Sequence, residues 1–216
     1  MSIITIASSK GGAGKTTIAR LLLGHAVRNG VTAAAVDSDL NHSLTDWINQ
    51  HHPSFEVRAE IDETRIVPMV SRLHEQHDMV VIDTAGAATQ ATVFAIGCAD
   101  LVLVPLKLSA ADVTEAMRSM ALVKSASTMM GREVVARVVL TGFKPRTSVA
   151  THVEQEIVNA GLPDIKTRLH DLVAFEEMTF NGIVPAIGPA GAQAEALFAE
   201  AMTLADPTYQ PIKLAS

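Results

Sequence analysis

The sequence predicts an α/β domain with a mostly parallel central β-sheet covered by helices on both faces, and three observations carry that expectation. Five short runs are apolar almost throughout, segments of helical period separate them, and three of the runs stop at a glycine loop or an aspartate. A strand that is apolar on both sides is buried on both sides, which is the condition of strands in a parallel sheet clothed by helices. Polar loops then collect at the carboxyl ends of the strands, where ligands of such sheets bind.

Ile3 to Ala7 is a β-branched run that stops at Ser8-Ser9-Lys10-Gly11-Gly12-Ala13-Gly14, so a strand leads into a glycine loop. From Lys15 to Asn29, Ile18, Leu21, Leu22, Ala26 and Val27 recur at helical spacing, and Gly30 ends the helix. Val31 to Val36 is a second strand ending in Asp37-Ser38-Asp39, and Met79 to Ile82 is a third ending in Asp83. Leu101 to Val104, closed by Pro105, and Val134 to Leu140, closed by Thr141-Gly142, complete the set. Further helices are expected over Ser43 to Asn49, Thr64 to Gln76, Asp112 to Met130, Ser148 to Asn159, Leu172 to Phe180 and Ala190 to Leu204. Between His51 and Asp62 the sequence reads as a turn at Pro53 and an edge strand at Phe55-Glu56-Val57.

Composition narrows the class. With 216 residues, 48% hydrophobic and 19% charged, the chain is expected to form one domain over residues 1–206, with 207–216 as a tail. No long uncharged apolar run and no signal-peptide pattern is seen, and Cys98 is the single cysteine, so a disulfide framework and a four-cysteine metal site within one chain are excluded. The cytoplasm is the expected compartment. A net charge of −6 argues against a protein that coats nucleic acid constitutively.

The segment Lys10-Gly11-Gly12-Ala13-Gly14-Lys15-Thr16-Thr17, after a strand and opening a helix, is placed as a phosphate-binding P-loop must be. Its glycines let backbone N–H groups converge on an anion, the helix N-terminus adds positive potential, Lys15 reaches the terminal phosphates, and the Thr16 hydroxyl can ligate magnesium. Ser9 stands where the usual pattern has its first glycine. Asp37 and Asp39 at the second strand's tip suit magnesium and water binding, and Val80-Val81-Ile82-Asp83-Thr84 reads as a Walker B strand with Asp83 facing the metal.

The additional Lys10, with Gly11-Gly12 and Lys15-Thr16, makes the deviant Walker A pattern, in which the chain resembles the ParA/MinD family of partitioning and positioning ATPases. The resemblance implies an α/β P-loop NTPase fold, ATP and Mg²⁺ as cofactors, and slow ATP hydrolysis. It implies that Lys10 reaches across a face-to-face homodimer to phosphates held by the other subunit, that Asp39 positions the attacking water, and that Asp37 sits in the outer metal shell. The short form, without room for a helix-turn-helix before the P-loop, is similar to small plasmid-partition ParA proteins. Such proteins bind DNA non-specifically when ATP-bound, associate with the nucleoid, and are released by a ParB-like adaptor.

Between Lys124 and Arg168, seven basic residues face four acids, and Lys144, Arg146, Lys166 and Arg168 are the candidate DNA contacts under this resemblance. Adenine contacts are expected from Thr141-Gly142-Phe143-Lys144-Pro145-Arg146 and Gly182-Ile183-Val184-Pro185, with Phe143 itself read as core. The loop after Asp83 carries Ala85-Gly86 where relatives often have prolines, so greater flexibility is expected there. Trp47 is expected to pack its helix on the second strand. The pair His74 and His77 lacks an evident third ligand, so zinc is not expected. No membrane attachment is expected, because Pro207 and Pro211 interrupt any terminal amphipathic helix.

The Leu44-Thr45-Asp46-Trp47 segment is also similar to VirC-type proteins of conjugative DNA transfer, which gives a second reading, an accessory ATPase that recruits a relaxosome. A metabolic ATP-dependent enzyme on the same fold would need a further catalytic constellation, and none is visible. The nitrogenase iron-protein branch needs two cluster cysteines per subunit, against the single Cys98.

Overall fold

The structure, a computed structural model, describes residues 1–210. Its strands are β1 (Ser2–Ile6), β2 (Ala33–Ser38), β3 (Val57–Ala59), β4 (Met79–Thr84), β5 (Leu101–Leu106), β6 (Val135–Phe143) and β7 (Asp164–His170). The helices are α1 (Lys15–Arg28), α2 (Ser43–His51), α3 (Glu63–His74), α4 (Gln90–Cys98), α5 (Ala110–Met130), α6 (Ser148–Asn159), α7 (Val173–Asn181) and α8 (Gly188–Ala205). All seven strands form one parallel sheet in the order β3-β2-β4-β1-β5-β6-β7. The expected class is therefore found.

Burial on both faces explains the apolar runs: every residue of β1, β2, β4 and β5 is buried. One face packs Ile4, Ile6, Ala35 and Val81 against α1, α2 and α8, with Leu22, Trp47 and Phe198 at its centre. The other face packs Val36, Val80 and Ile82 against α3 and α4, and Val102, Val104 and Val138 against α5 and α6. Because β1 lies between β4 and β5, the P-loop that follows it emerges at the middle of the sheet beside the tips of β2 and β4.

Four expectations need correction. The strand ending at Leu101 to Val104 continues through Pro105 to Leu106. Ala7 N donates to Leu103 O, so by alternation Pro105 directs its nitrogen toward β1 beyond that strand's last residue, where no ladder donor is needed. The expected edge strand at Phe55-Glu56-Val57 is displaced to Val57–Ala59. Helix α4 was not foreseen, since Gln90–Cys98 is uncharged and shows no polar stripe. Strand β7 was not foreseen either, because Asp164–His170 carries four charged or titratable side chains among its seven residues.

The expected tail begins on the domain rather than away from it: Tyr209 packs edge-on to Phe198 with ring centroids 6.3 Å apart. Residues 211–216 of that segment lie outside the described residues. Among the described residues no helix is long and apolar enough to cross a membrane.

Candidate nucleotide site

The P-loop turns on glycines. Gly12 has φ 75° and Gly14 φ 103°, both left-handed conformations that a side chain would strain, and neither Gly11 nor Gly12 has an atom within 4 Å of the place a Cβ would occupy. That leaves an open, backbone-lined cradle at the N-terminus of α1, with Ala13 buried behind it and its carbonyl accepting from Thr141 Oγ1 at 3.0 Å. Gly11, Gly12, Gly14, Lys15, Thr16 and Thr17 line one cleft of about 500 Å³ together with Asp39. Such a loop at a helix N-terminus binds phosphate through N–H groups and the helix dipole.

Lys15 is almost fully buried at the cleft floor, its Nζ 3.3 Å from Lys10 O. Burial lowers its pKa, while Asp83 and Asp39 favour the charged form. Asp83 lies 1% exposed at the tip of β4 and accepts from Thr16 Oγ1 at 2.7 Å through Oδ2, leaving Oδ1 buried with no partner among the described residues. Burial pushes its pKa up to about 7, a shift that the Thr16 hydrogen bond and Lys15 oppose and that Asp37 and Asp39 reinforce. An orphaned buried carboxylate oxygen beside a threonine hydroxyl is a hard oxygen donor set, which fits Mg²⁺.

Asp37 has a different occupation. It is fully buried, and its Oδ1 accepts from Asp39 N at 3.1 Å while Oδ2 accepts from Leu44 N and Thr45 N at 3.1 and 2.9 Å. The carboxylate thus fixes the turn and supplies the first turn of α2 with the acceptor that its N-cap residue, His42 at φ 48°, does not give. The same turn is closed by Asp39 Oδ1, which accepts from Asn41 N and Asn41 Nδ2, so Asn41 shapes the loop and Leu40 points to solvent. Asp39 alone of the two faces the cleft.

The front of the P-loop is tied to α5. Ser9 Oγ donates to Glu115 Oε2 at 2.7 Å and Ser9 N to Ser119 Oγ at 3.1 Å, which gives the departure from glycine a purpose. Lys10 Nζ pairs with Asp112 Oδ1 at 2.7 Å and points away from its own cradle. The loop after Asp83 touches the P-loop: a Cβ on Gly86 would stand 2.7 Å from Gly11 N, so only glycine fits at this approach.

Of the two segments expected to flank adenine, one lines the cleft. Thr141 and Gly142 line the cleft, and Phe143 is buried core stacked near His170. Gly182-Ile183-Val184-Pro185 does not reach it; this loop packs on α1 and α2 around a separate cavity of about 440 Å³ lined by Trp47, His51 and His52. The cleft is instead completed by His170, Asp171, Leu172, Phe175, Glu176 and Thr179, with Lys107 opposite. Their signal was hidden with β7, whose charged sequence does not read as a buried strand. Trp47 shares the core with Ala33 and Ala35 of β2, as expected, and in addition its Nε1 donates to Met178 O at 2.8 Å, docking α2 on α7, with Arg20 5.1 Å over its ring. Arg20 Nη2 donates to Ser43 O, a tie between α1 and the Asp39 turn that no motif announced.

The DNA candidates are scattered. Lys144 pairs with Asp171 at 3.1 Å, and Arg168 is held by Asp164 at 2.7 Å, Glu154 at 3.4 Å and the Ile165 carbonyl. Arg146, at φ 61°, and Lys166 are the exposed pair without ion-pair partners among the described residues. His77 is spent on Leu73 O and Glu56, and no group of three metal-ligating side chains forms among the described residues.

Comparison with known proteins places this geometry. The VirC1 protein family model matches residues 1–199. A protein named ParA from Rhizobium radiobacter is 30% identical over 182 residues, 82% of each chain, and virC1 of the same organism is 26% identical over 195 residues, covering 85% of this chain and 83% of that one. Among solved structures, the septum site-determining protein MinD complexed with Mg-ADP from Pyrococcus horikoshii superposes with a TM-score of 0.77 at 18% identity, covering 97% of this chain and 99% of that one.

Proposed function

The chain belongs to the VirC1 family of ParA/MinD-type P-loop ATPases, and on that premise we propose that it is a nucleotide switch that forms an ATP-dependent sandwich dimer. The dimer binds DNA non-specifically, and a ParB-like adaptor stimulates hydrolysis and release, so that a plasmid, chromosome or protein cargo is partitioned or positioned. The observation that carries the reading is the pair of lysines: Lys15 lies inside its own cradle while Lys10 is turned out of it to Asp112.

The residues divide the work. The backbone from Gly11 to Thr17 and Lys15 bind the phosphates of ATP, and Thr16 and Asp83 hold Mg²⁺. Bound there, the metal neutralises phosphate charge during phosphoryl transfer. Asp39 orients the attacking water, and Asp37 supports it by fixing the turn on which Asp39 stands. Lys10 acts on the other subunit, which makes turnover depend on dimerisation. Its side chain is 47% exposed where it pairs with Asp112. A second subunit's phosphates would draw Lys10 from Asp112, whose carboxylate keeps the Ser109 hydroxyl as a donor.

DNA contact is assigned to Arg146 and Lys166, with Lys144 and Arg168 joining after release from their ion pairs. Few phosphate contacts give a shallow but measurable salt dependence. The test is retention of the Asp39→Ala protein on random-sequence duplex DNA with ATP–Mg²⁺ or ADP, at low and moderate salt. Retention with ATP only, lost as salt rises, is expected. Retention independent of nucleotide, or none from a protein that dimerises with ATP, would remove DNA from the cycle.

The VirC1 family match favours a second reading, an accessory ATPase that recruits a relaxosome or binds a defined DNA site. The nucleotide chemistry is the same and the partner differs. Footprinting on transfer-origin DNA against random DNA separates the two readings: a protected site on the former supports the second.

A further inference from the structure

The two ends of the sheet are treated differently. At β7, the outer strand on one side, helix α8 covers the edge: Glu200 accepts from Lys166 N at 2.7 Å and Thr167 N at 3.0 Å, and Gln193 from His170 N at 2.8 Å. At β3, the outer strand on the other side, nothing comparable is found among the described residues. Ala35 N donates to Glu56 O and Glu60 N to Asp37 O, so by alternation Glu56, Arg58 and Glu60 face β2. Val57 and Ala59 therefore turn their N–H and C=O groups to the open edge, a template for another strand.

Beside that edge lies a cavity of about 300 Å³ between β3 and α3, lined by Glu56, Arg58, Arg65 and Arg72 and, between them, by Pro68, Met69 and Leu73. Leu73 is buried and Met69 half-buried, forming an apolar floor, while all three arginines are exposed. Arg58 pairs with Glu56 at 2.7 Å and Arg65 with Glu60 at 3.2 Å; Arg72 has no ion-pair partner among the described residues.

We propose that this groove docks an extended acidic peptide segment of a protein partner, which adds a strand to the open edge of β3. The open N–H and C=O groups of Val57 and Ala59 supply the backbone pairing. A carboxylate of the segment pairs with the unpaired Arg72, and others with Arg58 and Arg65 in exchange for Glu56 and Glu60, the guanidinium forks matching carboxylates in geometry and charge. An apolar side chain between them enters over Met69 and Leu73. Duplex DNA is the poorer fit, because an apolar floor and a row of open backbone groups on a strand edge offer a phosphate backbone nothing. Docking here lands next to the catalytic turn, because Glu60 N is bonded to Asp37 O.

The probe is a fluorescein-labelled peptide of alternating glutamate and valine, added to the full chain and read by polarisation and by amide hydrogen exchange. Saturable binding with slowed exchange at Val57 and Ala59 is expected, in the presence or absence of nucleotide. Arg65→Glu with Arg72→Glu, both on the solvent side of α3, should weaken binding about tenfold or more as two charge-assisted contacts become repulsive. Ala59→Pro, which removes an outward N–H and no bond to β2, should weaken it while leaving basal ATP hydrolysis unchanged. Absence of binding would overturn the proposal, as would affinity unmoved by these variants or displacement of the peptide by random duplex DNA. Because the expected binding needs no nucleotide, its failure leaves the ATP-driven dimer untouched, and failure of the dimer leaves the groove untouched.

Discussion

Two buried aspartates sit side by side, Asp37 opposite Asp83 in register, and their surroundings divide them. Asp37 has three backbone N–H donors, whereas Asp83 has one hydroxyl and a vacant acceptor, which leaves Asp83 a carboxylate poised for a cation. An unfolded aspartate ionises near pH 4, but the folded one does so at about 7. Between those values unfolding releases a proton, so metal-free stability falls as pH rises from about 4 to about 7 and then levels. Asp83→Asn removes that loss. In chelator, the variant's stability relative to the parent should grow between pH 5 and pH 8, by on the order of a few kcal/mol. Parallel thermal-denaturation profiles for the two proteins would contradict the assignment. Lys15, Thr16 and Asp83 were legible because the P-loop and Walker B patterns fix their spacing. The Ser9 and Lys10 ties to α5 were not, since Glu115, Ser119 and Asp112 lie about a hundred residues away with nothing local to mark them.

Strands buried on both faces announce themselves, and β1, β2, β4 and β6 lie within two residues of where their apolar runs place them, though β6 runs further at its end. The misses share a cause. The pattern of β7 and α4 is set by what covers them: α8 caps the charged edge strand, and α4 is apolar nearly all round, so neither shows a clean period. In the loop after β4 a contact with no local signal brings Gly86 against Gly11. Gly86→Ala should therefore keep the fold by circular dichroism and weaken ATP binding, because the added methyl pushes on the P-loop backbone; unchanged nucleotide affinity would mean that the loop yields. Trp47 ties α2 to α7 by a buried hydrogen bond. Trp47→Phe leaves Met178 O with Gly182 N as its remaining donor and should cost about 0.5–1.5 kcal/mol, seen as a fall of a few degrees in Tm. A shift under one degree would place the α2–α7 contact elsewhere.

The molecule as a whole is a single sheet whose central strand tips carry the nucleotide cleft, with an α8-covered edge at one end and an open edge at the other. Its architecture and the cleft at the candidate phosphate site could be read from motif order, because each segment that lines up there follows a strand. Its candidate DNA surface was less legible, because within the basic surplus from Lys124 to Arg168 folding commits Lys144 and Arg168 to ion pairs that the sequence does not announce. The central claim is that Lys10 serves a neighbouring subunit while Lys15 serves its own. Sedimentation velocity of the Asp39→Ala protein and the Asp39→Ala, Lys10→Ala double variant, each with ATP–Mg²⁺, tests it most directly. The first should sediment as a dimer with ATP and a monomer with ADP, and the double variant should bind ATP yet remain monomeric. A double variant that dimerises with ATP as fully as Asp39→Ala would contradict the cross-subunit role.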